Sequence, residues 1–105
     1  MKRTYLVIFE KAAEDNWGAV TPDIRGAVGA GESLDEARES VLEGIYIQLD
    51  YLAENGLVAP EAATASIDFA EFDPDRTDLQ YVVEWLTVTL PEVSTQTHEN
   101  AQQAA

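Results

Sequence analysis

Cysteine is absent from the 105 residues. Disulfides, thiolate nucleophiles and cysteine-based metal sites go with it. Basic residues are scarce, six Lys and Arg against 20 Asp and Glu, for a formal net charge of −14. Phosphates would meet a strongly negative surface, so nucleic acid is a poor direct partner and an anionic membrane surface is excluded. Long apolar runs are missing too. The longest, Tyr5 to Phe9, spans five residues, against the ~20 that a membrane helix needs. The opening Met1-Lys2-Arg3 passes straight into a strand-like run, without the apolar stretch or small-residue cleavage site of a signal peptide. A cytoplasmic protein is expected. Histidine occurs once, at His98 in a polar tail, where it is placed to be neither metal ligand nor base.

What is present is a globular balance, with 46% apolar and 25% charged residues. A disordered chain of this charge would be poorer in apolar residues. The length fits one domain. Charge is uneven: residues 1–38 carry 7 acids and 5 bases, whereas residues 39–105 carry 13 acids and only Arg76. The second part is an acidic surface seeking water or a basic partner. Adaptation to high salt would also give many acids and few lysines.

Residues 4–10, Thr-Tyr-Leu-Val-Ile-Phe-Glu, are β-branched and aromatic and predict a strand buried on both faces. A turn at Glu14-Asp15-Asn16 and a strand over 17–21 make a hairpin with it. Pro22-Asp23 stops that strand. Gly26, Gly29 and Gly31 bracket a third, short strand around Ala27–Ala30, whose small residues imply either that something packs closely over it or that the edge is kept weak. Ser33-Leu34-Asp35-Glu36 fits a capping box, with Ser33 as N-cap and Glu36 reaching back to it. The helix then runs to about Glu54, and Asn55-Gly56 stops it. Leu34, Val41, Ile45, Leu49 and Leu52 share one arc of this helix, directed at the sheet; Glu36, Glu39, Glu43, Asp50 and Glu54 occupy the other. Gly44 inside the helix costs about 1 kcal/mol relative to alanine, which a close backbone contact would justify. Residues 67–72 are a short strand or a packed loop, 73–78 a turn, and 79–90 a long final strand ended by Pro91.

The fold class is therefore α+β, strand-strand-strand-helix-strand: a three-stranded antiparallel meander, one long crossover helix and a final strand, expected beside the first strand and parallel to it. Residues 1–92 form the domain, and 93–105 a disordered tail. The open sheet face calls for self-association or a partner.

An ordered set of motifs resembles the HicB-like antitoxin family of bacterial and archaeal toxin–antitoxin pairs. The residues are Tyr5–Phe9, the acidic turn at 14–16, Trp17-Gly18-Ala19-Val20, then Pro22-Asp23-Ile24-Arg25-Gly26-Ala27 and Gly31-Glu32-Ser33-Leu34-Asp35-Glu36-Ala37. The family motif thus rests on Pro22, Asp23, Gly26, Gly31, Ser33, Leu34, Glu36 and Ala37. Ala27 stands where the family often has cysteine, and Arg25 where proline is common. The resemblance implies a partial, degraded RNase H-like fold without catalysis that binds and neutralises a small basic HicA-like ribonuclease toxin. Many relatives add a C-terminal DNA-binding module; the 14 polar residues after Pro91 do not form one, so no direct nucleic-acid contact is expected. A homodimer or higher homo-oligomer is expected, with no cofactor. The alternative is an orphan oligomeric adaptor of this fold with no toxin.

Sites of other kinds are poorly supported. Two-metal nuclease chemistry needs converging carboxylates, and the available acids are Glu10, Glu39 or Glu43, and Glu84. The first strand carries no acid in its interior, and the helix acids face away from the core. The run Asp73-x-Asp75-x-x-Asp78 has Asp78 where a calcium loop needs glycine, and its twelfth position, Glu84, falls inside the expected final strand. No nucleophile, metal site or catalytic residue is expected. The candidate interface is Glu36, Glu39, Glu43, Tyr46, Ile47, Tyr51 and Trp85. Ile47 stands out because it is an aliphatic residue among acids, and aromatic residues often anchor interfaces.

Overall fold

The computed structural model describes residues 1–66 and 80–93. The elements are β1 (Lys2–Ala13), β2 (Asn16–Val20), β3 (Val28–Gly31), α1 (Leu34–Glu54) and β4 (Gln80–Thr89). They form one four-stranded sheet in the order β3-β2-β1-β4. The α+β class and the expected element order are both found. The expectations for 67–72 and for the 73–78 turn lie outside the described residues, as does that for the tail from 94.

β1 sits at the centre of the sheet, so its apolar run is covered from both sides. Tyr5, Leu6, Val7, Ile8 and Phe9 are all at most 1% exposed. Tyr5, Val7 and Phe9 face α1 and join Ala19, Ile24, Val41, Ile45, Leu49 and Val88 in the main core. Each fully buried side chain of this size contributes about 1.5–3 kcal/mol. The buried face of α1 is Ala37, Val41, Ile45, Leu49 and Ala53. The expected arc is buried at its centre, while at its ends Leu34 packs against the core half-buried and Leu52 is half-buried.

One expectation is overturned. β4 lies beside β1 but runs antiparallel to it, with Lys2 opposite Thr89 and Lys11 opposite Gln80. The reason lies in the connection. After α1 the chain is held at the end of the sheet where β1 starts: Arg3 Nη1 donates to the carbonyls of Ala59 at 3.1 Å and Pro60 at 2.8 Å, and the Tyr5 hydroxyl donates to Pro60 at 2.6 Å. β4 then enters at the opposite end, beside Lys11. A helix that fed β4 directly would have delivered it parallel.

The helix termini follow local chemistry. Ser33 Oγ accepts from the Glu36 N–H at 3.1 Å. Glu36 Oε2 accepts from the N–H of Glu32 at 3.2 Å, rather than from Ser33 as the capping box predicts. At the other end Gly56 takes φ +71°. Gly56 N–H bonds Ala53 O at 3.1 Å and Leu57 N–H bonds Leu52 O at 2.8 Å, the paired bonds of a Schellman stop.

α1 packs chiefly on β3, and three glycines make this possible. A Cβ at Gly29 would meet the backbone of Val41, with its Cα at 2.7 Å; one at Gly31 would lie 2.6 Å from Glu36 Cβ; one at Gly44 would lie 2.8 Å from the Val28 carbonyl oxygen. The helical glycine and the small third strand are two halves of one contact.

Candidate interaction surface

The outward side of α1 is one continuous stripe. Glu36, Glu39, Glu43, Ile47, Asp50 and Glu54 recur at three- and four-residue intervals, the spacing that stacks side chains on one helix face. All six are exposed. Ile47 and Tyr51, one turn apart, are each 59% exposed. The surface is an apolar pair set among carboxylates.

Two candidate residues are placed differently. Tyr46 is tied to β4, where its hydroxyl accepts from the Thr89 N–H at 3.1 Å. Trp85 is 56% exposed but does not join the stripe. It faces Leu6 across the β1–β4 ladder, on the side of the sheet away from α1, with Val20 and Val28 on the same side. Trp17 is half-buried against the core, with Lys11 Nζ 5.9 Å from its ring centre.

The motif residues do structural work. Asp23 accepts from the Thr64 N–H at 2.9 Å and from Thr64 Oγ1 at 2.7 Å, clamping the chain that follows α1 to the β2–β3 turn. Gly26 takes φ +86°, a conformation that favours glycine. Ser33 caps the helix, and Ala37 is fully buried beneath it. Pro22 is exposed and Leu34 half-buried.

Sequence reasoning missed Arg38. Its Nε and Nη2 donate to Glu84 Oε1 and Oε2 at 2.8 and 2.7 Å, and its Nη1 donates to Asp35 Oδ1 at 2.6 Å. The guanidinium also lies 5.9 Å from the Phe9 ring centre. The hydrogen bonds from Arg38 hold the Glu84 carboxyl below its ordinary pKa, and those from Glu84 and Asp35 raise Arg38 further. The only hint in the sequence was a lone cation on an acidic helix.

This arrangement bears on the nuclease reading. Both oxygens of Glu84 are engaged by Arg38, while Glu39 and Glu43 point to solvent on the far side of α1. Among the described residues no three His, Asp or Glu side chains are grouped to hold a metal ion. The aspartates at 73, 75 and 78 and His98 lie outside the described residues. A cleft of about 550 Å³ near the start of β1 is lined by Met1, Val58, Leu90 and Val93 with Arg3, whose guanidinium already serves two carbonyls. No helix among the described residues is long and apolar enough to cross a membrane.

Comparison with known proteins adds the family. The model for the HicB-like antitoxin of bacterial toxin–antitoxin systems matches residues 5–102, which takes in β2, β3, α1, β4 and all of β1 after its first three residues. No match was found among curated proteins or among solved structures. The matched span covers nearly all of the chain, and this protein belongs to the HicB-like antitoxins of bacterial toxin–antitoxin systems.

Proposed function

We propose that this chain neutralises a small, basic, HicA-like ribonuclease toxin by binding rather than by catalysis, and that it does so in the cytoplasm without touching nucleic acid. The observation that carries the reading is the outward stripe of α1. A ribonuclease must present positive charge to hold RNA, and a row of carboxylates is a competitor for that surface. Ile47 and Tyr51 supply the desolvated centre that charge alone does not, because binding energy concentrates in a few buried apolar and aromatic side chains. Glu36, Glu39 and Glu43 supply long-range attraction.

The test is binding to the product of an adjacent small basic reading frame, by calorimetry across a salt series. Affinity is expected to fall as salt rises. Ile47→Asp is expected to weaken binding by on the order of tenfold or more, and Glu39→Lys with Glu43→Lys to slow association. Lack of binding in low salt sinks the toxin reading. It would leave the oligomeric adaptor, which draws its support from exposed apolar residues on the other side of the molecule, Trp85 among them.

A further inference from the structure

We infer that the outer edge of β4 is the surface through which two copies of this chain pair, antiparallel, about a two-fold axis at Trp85, to form a continuous eight-stranded sheet. This deepens the self-association expected of the proposed antitoxin and rests on that reading only for its biological purpose.

Hydrogen bonding alternates along an antiparallel ladder, and one bond sets the phase here. Leu90 N–H donates to the Met1 carbonyl at 2.8 Å, in step with a register that places Lys2 opposite Thr89 and Arg3 opposite Val88. Val88, Leu86, Glu84 and Val82 therefore turn their backbone groups to β1. Thr89, Thr87, Trp85, Val83 and Tyr81 turn theirs outward. The Tyr46 hydroxyl confirms the phase by capping the outward Thr89 N–H at 3.1 Å. Tyr81 has a partner of its own. Val83, Trp85 and Thr87 remain, with no neighbouring strand among the described residues.

Those three residues select one register. With Trp85 on the axis, Trp85 pairs with its own copy and Val83 with Thr87 of the other, in both directions. Each free N–H and C=O gains a partner, giving about six backbone bonds. An axis at Val83 would set Thr87 opposite position 79, outside β4, and one at Thr87 would need the Thr89 N–H, already capped by Tyr46. The same register sets Glu84 opposite Leu86, so no carboxylate faces its own copy, and Arg38 already neutralises Glu84. On the face away from α1, the two exposed Trp85 rings meet beside the Val83–Thr87 pairs, the aromatic and β-branched pairing that sheets favour.

The edge also lacks what proteins use to prevent such pairing. Over ten register positions against β1 there is no bulge. The strand holds no proline and no lysine. Long, regular edges invite a second strand, and the one charge on this strand, Glu84, is already paired with Arg38. A second copy is favoured over a toxin strand because the free groups are self-complementary about a single residue.

The experiment is light scattering and sedimentation equilibrium of the full chain at low salt and at ~0.5 M salt, where the Debye length shrinks to a few ångströms. Two chains of net charge −14 repel, so the dimer is expected to tighten with salt, the opposite of the proposed toxin complex. The two readings therefore fail separately. Thr87→Pro removes an outward N–H along with the exposed hydroxyl bond to Thr4, and Trp85→Lys places a charge at the axis. Each is expected to weaken self-association by on the order of tenfold or more with circular dichroism unchanged. Amide exchange at Val83, Trp85 and Thr87 in the unaltered protein is expected to slow with concentration, which reads the edge even if a variant does not fold. A wild-type monomer in high salt overturns the inference. So does a dimer that persists in folded Thr87→Pro and Trp85→Lys, fast exchange at those amides in the dimer, or loss of toxin binding in Trp85→Lys when the free chain is already monomeric.

Discussion

The two edges of this sheet are built in opposite ways. At β3 the strand is four residues long and the helix closes over it. Ser40 Oγ accepts the outward N–H of Ala30 at 3.0 Å, and Gly44 lets the helix backbone settle against the Val28 carbonyl. At β4 the strand is ten residues long, and α1 reaches its outer edge only at the end, where Tyr46 caps the Thr89 N–H. The sheet is asymmetric because one helix is too narrow to cover four strands. Sequence decides which edge it protects, by placing glycine where helix and strand must meet. The difference separates two surfaces, an acidic stripe on α1 for a basic partner and a neutral strand edge for a like one.

The comparison breaks most severely at Gly29. Any side chain there enters the Val41 backbone, which cannot yield as a side-chain tip can. Gly29→Val is expected to cost about 3 kcal/mol or more, at the upper end of overpacking. A urea titration followed by circular dichroism measures it. Gly44→Ala sharpens the point, because helix propensity alone favours alanine by about 1 kcal/mol. Destabilisation instead of stabilisation would show that the contact with Val28 outweighs propensity.

Arg38 joins the covered side to the open one, linking α1 to β4. Arg38→Met is expected to cost about 1–3 kcal/mol, since two of its hydrogen bonds are charged on both sides and only partly exposed. The pH dependence has a definite sign. Glu84 has a lowered pKa in the fold, so its stabilisation is full above the ordinary glutamate range of ~4.3 and is lost as pH falls through the lower folded value. The difference between the wild type and Glu84→Gln isolates this group and is the quantity to follow. It is expected to be constant at neutral pH and to shrink in acid.

A smaller effect tests the plug at β3. Ser40→Ala leaves the Ala30 N–H without its acceptor. The site is exposed and water can replace the hydroxyl, so the expected loss is about 0.5–1 kcal/mol. Faster amide exchange at Ala30, without general acceleration, is the specific signature.

Much of this was legible in the chain because it is local. The buried run at 5–9, the Ser33 cap, the Asn55-Gly56 stop and the need for a close neighbour at Gly44 are all set by residues within a few positions. What was not legible depends on distant partners. Arg38 and Glu84 are 46 positions apart, beyond any helical spacing rule. The direction of β4 depends on where the connection is pinned, through Arg3, Tyr5 and Asp23, and no pattern within the strand encodes that. Trp85 joins the candidate interface as an aromatic anchor, and because Val82-Val83 and Trp85-Leu86 are apolar on both faces the sequence hides which face of the strand it takes. Asp23 read as a family signature, and only its bonds to Thr64 explain why a short acid stands there.

The finest test of the two edges is Tyr46→Phe. The ring stays and so does its packing, but the Thr89 N–H loses its hydroxyl partner. Since that group is exposed, the monomer is expected to lose no more than about 0.5–1 kcal/mol. The consequence for pairing is more informative. With Thr89 freed, a register with the axis at Thr87, placing Trp85 opposite Thr89, becomes available to β4. If the Trp85-centred register is the one β4 adopts, a disulfide cross-link between a cysteine at position 85 and its own copy is expected to form efficiently. In Tyr46→Phe that yield is expected to drop and an 85-to-89 cross-link to appear. An unchanged pattern would mean that the Tyr46 hydroxyl plays no part in setting the register of the open edge.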